Sequence, residues 1–190
     1  MKFFNLIQYA VLVVLTSFYL FPFEFVFLPG FNTKMIMAGI GLILFIVNSG
    51  RQRSLKLTRE FASLIVCAMA ISLVSLASMT INNTTDPSFL SYPVSSAVWL
   101  GGAYCLICCI RAVHGEVSVE LIVKYLVLVC VSQCVIAYEM TVIPALKNWV
   151  DSFLGGEDAF MGKAEGRVYG IGAALDPSGL RFSSVLVMIA

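Results

Sequence analysis

Long uninterrupted apolar runs and short polar connectors alternate along this chain. Apolar stretches occupy residues 4–21, 35–48, 61–81, 94–113 and 121–143, and a sixth runs from 182 to 190. A hydrocarbon core of about 30 Å is crossed by about 20 helical residues. The first five runs therefore read as full membrane spans and the last as a truncated one. Strands of a membrane barrel would alternate apolar and polar residues, and these runs do not. The pattern predicts an all-α, polytopic transmembrane bundle forming a single domain over residues 1–190. The second run is short and draws on Thr33, Lys34 or flanking aromatics to reach both interfaces. All six prolines (Pro22, Pro29, Pro87, Pro93, Pro144 and Pro177) fall outside these helix interiors, as the missing donor and ring clash of proline require.

Composition sharpens the picture. Residues of the AVILMFWYC set make up 59% of the chain and charged residues only 12%. A soluble domain carries about 25% charged residues, so this chain cannot clothe a water-facing surface. Disordered chains are poor in apolar residues, which excludes that class as well. A net charge of +1 gives no electrostatic case for nucleic acid. The first run follows Lys2 like a signal peptide, but residues 15–21 offer no small-x-small cleavage site, and it reads as a retained helix.

Lysines and arginines in the connectors set the orientation. Residues 50–60 carry Arg51, Arg53, Lys56 and Arg59, whereas residues 82–93 carry none. Arg111 and Lys124 flank the connector at 114–120. This places the N-terminus in the cytoplasm and the loops 22–33, 82–93 and 144–181 outside, with Lys124 close enough to the cytoplasmic headgroups to snorkel. The final nine-residue run is less than half a span, so the sequence is expected to be the N-terminal portion of a longer polypeptide.

The outer segment 144–181 differs from the rest. Leu146, Trp149, Val150, Phe153 and Leu154 follow the i, i+3, i+4, i+7, i+8 spacing of a helix with one apolar face, and Lys147, Asn148, Asp151 and Ser152 take the other. Pro144 suits its first turn and Gly155-Gly156 its stop. Such a helix lies flat at the membrane surface, as a connector or as a platform for something lipid-borne. Seven of the 14 glycines lie between Gly155 and Gly179, where backbone amides can approach a ligand. Asp176 followed by Pro177 suits an N-cap and first helical position, so the last helix is expected to begin at Asp176. Its outward-facing N-terminus, with Arg167 and Arg181, makes a candidate seat for a phosphate or diphosphate. The competing reading leaves both arginines as decoration of a polar loop that also holds Glu157, Asp158 and Glu165.

The run Arg167-x-x-Gly170, a short glycine-bearing apolar stretch with Gly172, and then Asp176-Pro177-Ser178 entering a helix resembles the motif of bacterial O-antigen polymerases and O-antigen ligases. Asn is more usual in that family where Ser178 stands. The resemblance covers about 20 residues besides hydropathy and topology. It implies a metal-independent, cofactor-free glycosyltransferase of the bacterial inner membrane. Its substrate would be an oligosaccharide on undecaprenyl pyrophosphate, presented at the periplasmic face, with chain-length or polysaccharide-assembly proteins as partners. The acceptor would be a second glycan or a lipid A core. Arg167, Arg181, Gly170, Gly172 and Ser178 would bind the pyrophosphate, with Asp176 a cap. Related ligases add a further outer loop containing a histidine. The single histidine here, His114, falls in a cytoplasmic connector, so this stretch alone is not expected to turn over.

Several other residues bear on chemistry. Cys105/Cys109 and Cys130/Cys134 are each spaced i, i+4, which puts each pair on one helix face. With no acid or histidine beside them, all six cysteines read as small buried residues rather than metal ligands or disulfides. Glu139 lies one turn from the outer end of its helix, where an acid can face the same cavity as Arg167. Gly39-x-Gly41 and Gly101-Gly102 read as close helix–helix contacts. No nucleotide-binding or zinc-protease motif is present. The rival classes are a transporter or flippase, which would show charged or broken helices near the midplane, and a non-catalytic remnant.

Overall fold

The computed structural model describes residues 2–51, 59–84, 92–154, 169–172 and 176–189. Among them the chain is helical: α1 (Lys2–Leu20), α2 (Thr33–Arg51), α3 (Arg59–Ile81), α4 (Tyr92–His114), α5 (Val119–Val142), α6 (Pro144–Asp151) and α7 (Asp176–Ile189). Three helical stretches, Ala62–Ile81, Val94–His114 and Val119–Val142, are long and apolar enough to cross a membrane. Leu6–Leu20, Thr33–Asn48 and Ser178–Ile189 are shorter apolar helices. Only 6% of the Ala62–Ile81 stretch is buried inside the protein, so α3 turns leucine, valine and isoleucine side chains outward nearly all round. In water that surface would aggregate; in lipid it costs nothing.

The helix ends are written locally. Asn32 caps α2, its Oδ1 accepting the Met35 N–H at 2.9 Å. Ser118 caps α5, its Oγ accepting the Leu121 N–H at 3.1 Å. Asn83 adopts φ 49° just past α3, the left-handed exit that asparagine tolerates. Pro144 opens α6, where its missing N–H would have had no helical partner anyway.

The chain divides into two compact units, Met1–Met37 with Leu106–Ala190, and Ala38–Cys105. In the second unit α2 and α4 meet backbone to backbone. Gly41 abuts the carbonyl of Gly101, with the Cys105 amide beside it, and Gly101 in turn lies against Ala38. Asn48 Nδ2 donates to the Tyr104 hydroxyl at 3.2 Å, and the Phe45 and Tyr104 rings meet edge to face. Gly39 does not join this contact as its spacing suggested: one residue off the contact stripe, it faces open space.

In the first unit α5 is the central helix, touching α1, α6 and α7. Leu20, Phe21, Leu126, Val129 and Val185 form one core cluster. A second gathers Met140, Val150, Leu154 and Tyr169. Between α1 and α2 a short hairpin is pinned by the Glu24–Asn32 bridge, the Thr33 N–H on the Phe23 carbonyl at 2.9 Å, and a turn through Gly30 at φ 83°. The hairpin joins α6 through the Phe25–Leu154 bridge and the Val26 N–H on the Phe153 carbonyl at 3.1 Å. The C-terminal ends of α1 and α5 and the N-terminal ends of α2 and α7 thereby gather at one end of the unit.

The amphipathic reading of α6 holds with one change. Val150 and Leu154 are buried under Met140 and Tyr169, but Trp149 and Phe153 are 62% and 47% exposed and pack edge to face on each other. The apolar face is wider than the groove beneath it, so only its inner half is covered by protein.

Candidate functional site

The site candidate lies where α7 begins. Asp176 opens that helix, as its pairing with Pro177 predicted, and Ser178 is buried one turn before Arg181. The Arg181 guanidinium sits over the Phe21 ring, 6.0 Å from its centroid. Phe21 is fully buried and tilts against Phe182 at 5.1 Å. Burial alone pushes the Arg181 pKa below its ordinary value, and among the described residues no carboxylate forms an ion pair with it.

A second cation stands at the same mouth. Lys34, just before the apolar run 35–48, is only 4% exposed and holds its ammonium 5.4 Å from the Tyr19 ring centroid. Thr33 fixes it there: the threonine hydroxyl donates to the Phe18 carbonyl at 2.9 Å, and its N–H to Phe23. The charge of Arg181 reaches Lys34 across this corner. Sequence reading treated Lys34 only as an extension of a short helix. The available signal was its isolation, since no other lysine or arginine lies between Lys2 and Arg51.

The glycine-rich approach to α7 is anchored to the same corner. Gly170 and Gly172 are buried, and Gly172 adopts φ 68° against the Phe21 and Pro22 carbonyls. Its lack of a side chain serves close packing on the end of α1. Beside it the Tyr169 hydroxyl donates to both carboxylate oxygens of Asp151, at 3.0 Å each, and Lys147 stands 5.7 Å from the Tyr169 ring centroid. Burial, then the Asp151 hydrogen bond and charge, push the Tyr169 pKa up to about 12. A phenol whose folded pKa lies above its unfolded value adds stability that is complete below about pH 10 and lost as pH climbs to about 12. Tyr169→Phe is expected to lower stability by about 1–2 kcal/mol at neutral pH. Thermal unfolding in detergent checks this, and the gap from wild type should close at the alkaline end of that window.

Arg167 lies outside the described residues, as do Glu157, Asp158 and Glu165. Glu139 is exposed on α5, one turn before the junction with α6. An apolar groove of about 540 Å³ runs between α5 and α7, lined by residues such as Cys130, Cys134, Tyr138, Phe182 and Leu186. Its Phe182 end adjoins Arg181. The six cysteines are free thiols, but only Cys105 is buried while Cys67 and Cys134 are exposed, so they are not uniformly the buried residues expected; among the described residues no three His, Cys, Asp or Glu side chains are grouped to hold a metal ion.

At the opposite end of the unit His114 shares a 2.8 Å hydrogen bond with the Tyr125 hydroxyl and stacks on Tyr9. Lys124 pairs with Glu120 at 2.7 Å, both exposed, a contact of little energetic weight. No protein-family model, curated protein or solved structure matches this chain.

Proposed function

We propose that this chain works as an integral-membrane polysaccharide polymerase or ligase of the bacterial inner membrane. It would hold an undecaprenyl-pyrophosphate-linked glycan at the periplasmic face. The observation that carries the reading is the pairing of a cationic mouth with an apolar groove: Lys34 and Arg181 stand at the α7 entrance, and the groove between α5 and α7 leads away from Phe182. A polyprenyl diphosphate has that same division, a multiply charged head on a long apolar tail.

In this reading an acceptor hydroxyl attacks the anomeric carbon of the donor sugar. The carbon–oxygen bond to the diphosphate breaks, the bonding pair leaves with the lipid diphosphate, and the hydroxyl gives up its proton. Charge grows on the leaving oxygens, which is where preorganised guanidinium and amide donors stabilise most. Arg181 and Arg167 supply guanidinium donors, and Ser178 and the glycine-rich backbone line the approach. The five-span topology with an N-terminus in the cytoplasm belongs to this proposal. At 19 residues each, α1 and α2 reach about 28 Å, close to one hydrocarbon core. The exposed aromatics Phe27, Phe31, Trp149 and Phe153 would then form an interfacial belt.

The test is made in the natural host with the complete gene. Arg181→Ala and Arg167→Ala are each expected to cut surface polysaccharide about 100-fold while the protein still inserts. Normal polymer from both variants would overturn the reading. Orientation is checked at Phe27, which is 73% exposed. In a background whose six native cysteines are removed, Phe27→Cys should react with an impermeant thiol reagent from the periplasm, and reaction only from the cytoplasm would reverse the topology.

A further inference from the structure

We propose that the cleft between α1 and the first half of α5 holds the headgroup of an aminophospholipid, one of phosphatidylethanolamine type with a primary ammonium beyond its phosphate. The site is independent of the diphosphate reading, since it lies at the opposite end of the first unit.

The cleft has a volume of about 240 Å³, and Tyr9, Val13, His114, Lys124, Tyr125 and Leu128 stand along it. The order of side chains on α5 carries the argument. Glu120, Lys124 and Leu128 are spaced i, i+4, i+8, so they stack on one stripe of the helix. At a rise of about 1.5 Å per residue, each step is about 6 Å along the axis. From the helix start inward the stripe reads carboxylate, ammonium, apolar. An aminophospholipid meets it with the complement in the same order: ammonium outermost, phosphate next, acyl chains innermost. The helix also sets the depth. Val119–Val142 is long and apolar enough to cross a membrane, and Glu120 and Lys124 stand exposed in its first two turns, at the level where headgroups meet such a helix. Leu128 is half-exposed, and Val131 and Val135 extend its apolar surface inward.

An i, i+4 ion pair alone is ordinary helix decoration. The surroundings make this one a site. Lys124 and Glu120 touch at 2.7 Å while both stay exposed, so the pair costs little to open and offers both charges to a zwitterion. Beside them Tyr125 shares a 2.8 Å hydrogen bond with His114 Nε2, and the His114 ring is held by stacking on Tyr9 with the planes 9° apart. When Nε2 carries the proton it donates to the phenol oxygen, which leaves the phenol hydrogen for a phosphate. Lys124 and Tyr125 then grip the phosphate, Glu120 takes the ammonium, and the acyl chains run past Val13 and Leu128. Selectivity follows from Glu120. A choline head has no N–H to donate to it, and an anionic glycerol head brings like charge against it.

The experiment uses the whole chain in detergent micelles, with native mass spectrometry counting retained lipid. The probes are dioleoyl phosphatidylethanolamine, phosphatidylcholine and phosphatidylglycerol. Wild type is expected to hold phosphatidylethanolamine about tenfold more tightly than either competitor. Glu120→Gln should erase that preference, whereas Glu116→Gln, at an exposed acid of the neighbouring connector, should keep it. Lys124→Gln should weaken phosphatidylethanolamine and phosphatidylcholine alike, by about tenfold. All three variants sit at exposed positions, so lost binding reads the site and not the fold. Equal retention of the three lipids overturns the proposal, as does tighter phosphatidylglycerol. A preference that Glu116→Gln removes as fully as Glu120→Gln also overturns it. Soluble phosphoethanolamine displacing the lipid at equal concentration would assign the cleft to a free phosphate monoester and overturn it as well.

Discussion

Gly172→Ala is expected to be the most damaging single-methyl substitution in the described part of the first unit, lowering stability by about 3 kcal/mol or more. Two effects add. At φ 68° an L side chain pays the left-handed penalty of about 1–2 kcal/mol. The new Cβ would also collide with the Phe21 carbonyl, backbone that cannot swing away as a side-chain tip would. Gly30 and Gly115 separate the two effects. They have φ 83° and 79° but face open space, so Gly30→Ala and Gly115→Ala should show the conformational penalty alone. Thermal unfolding in detergent ranks the three, and a Gly172→Ala no worse than Gly30→Ala would refute the packing account. Because Phe21 also carries Arg181 and packs on Phe182, the collision should reach the mouth of α7.

In the second unit the largest effect is expected from Gly41→Ala. An added Cβ would meet the Gly101 carbonyl head-on, with the Cys105 amide nitrogen at 3.2 Å. Helices cannot keep that approach with a methyl between their backbones. The cost should be about 2–4 kcal/mol, at the upper end of overpacking penalties because both neighbours are main chain. Gly101→Ala should be milder, since its Cβ would lie 3.1–3.3 Å from Ala38 atoms. Gly39→Ala faces open space and should gain up to about 1 kcal/mol from helix propensity. Unfolding of unit 2 followed by hydrogen exchange over residues 38–48 and 92–105 would reveal the order. A Gly41→Ala protein as protected as the Gly39→Ala protein would contradict it.

Much of the architecture was legible because long apolar helices announce themselves in one dimension. Proline placement located the starts of α6 and α7, since first turns depend on neighbours a few residues away, whereas the Asn32 cap of α2 emerged only in the structure. The amphipathic α6 was legible as a helix, yet its apolar face divides between protein and exterior, and only the shapes of Met140 and Tyr169 decide where the division falls. The two glycine pairs read alike on paper. Helix rotation admits Gly41 to the contact and leaves Gly39 outside it, and rotation is set by the partner helix.

The sequence by itself determined the helical class, the apolar runs and the starts of α6 and α7, and it suggested an anion seat around the last helix. Each of these follows from hydropathy or from hydrogen bonds spanning a few residues. Tertiary structure decided that Lys34, nearly 150 residues from Arg181 in the chain, shares its corner, and that Gly172 serves packing against Phe21. A meeting between distant residues depends on how a hairpin folds back and which faces two helices turn inward. No local pattern encodes that, because it is fixed only when every helix has buried its share of the core.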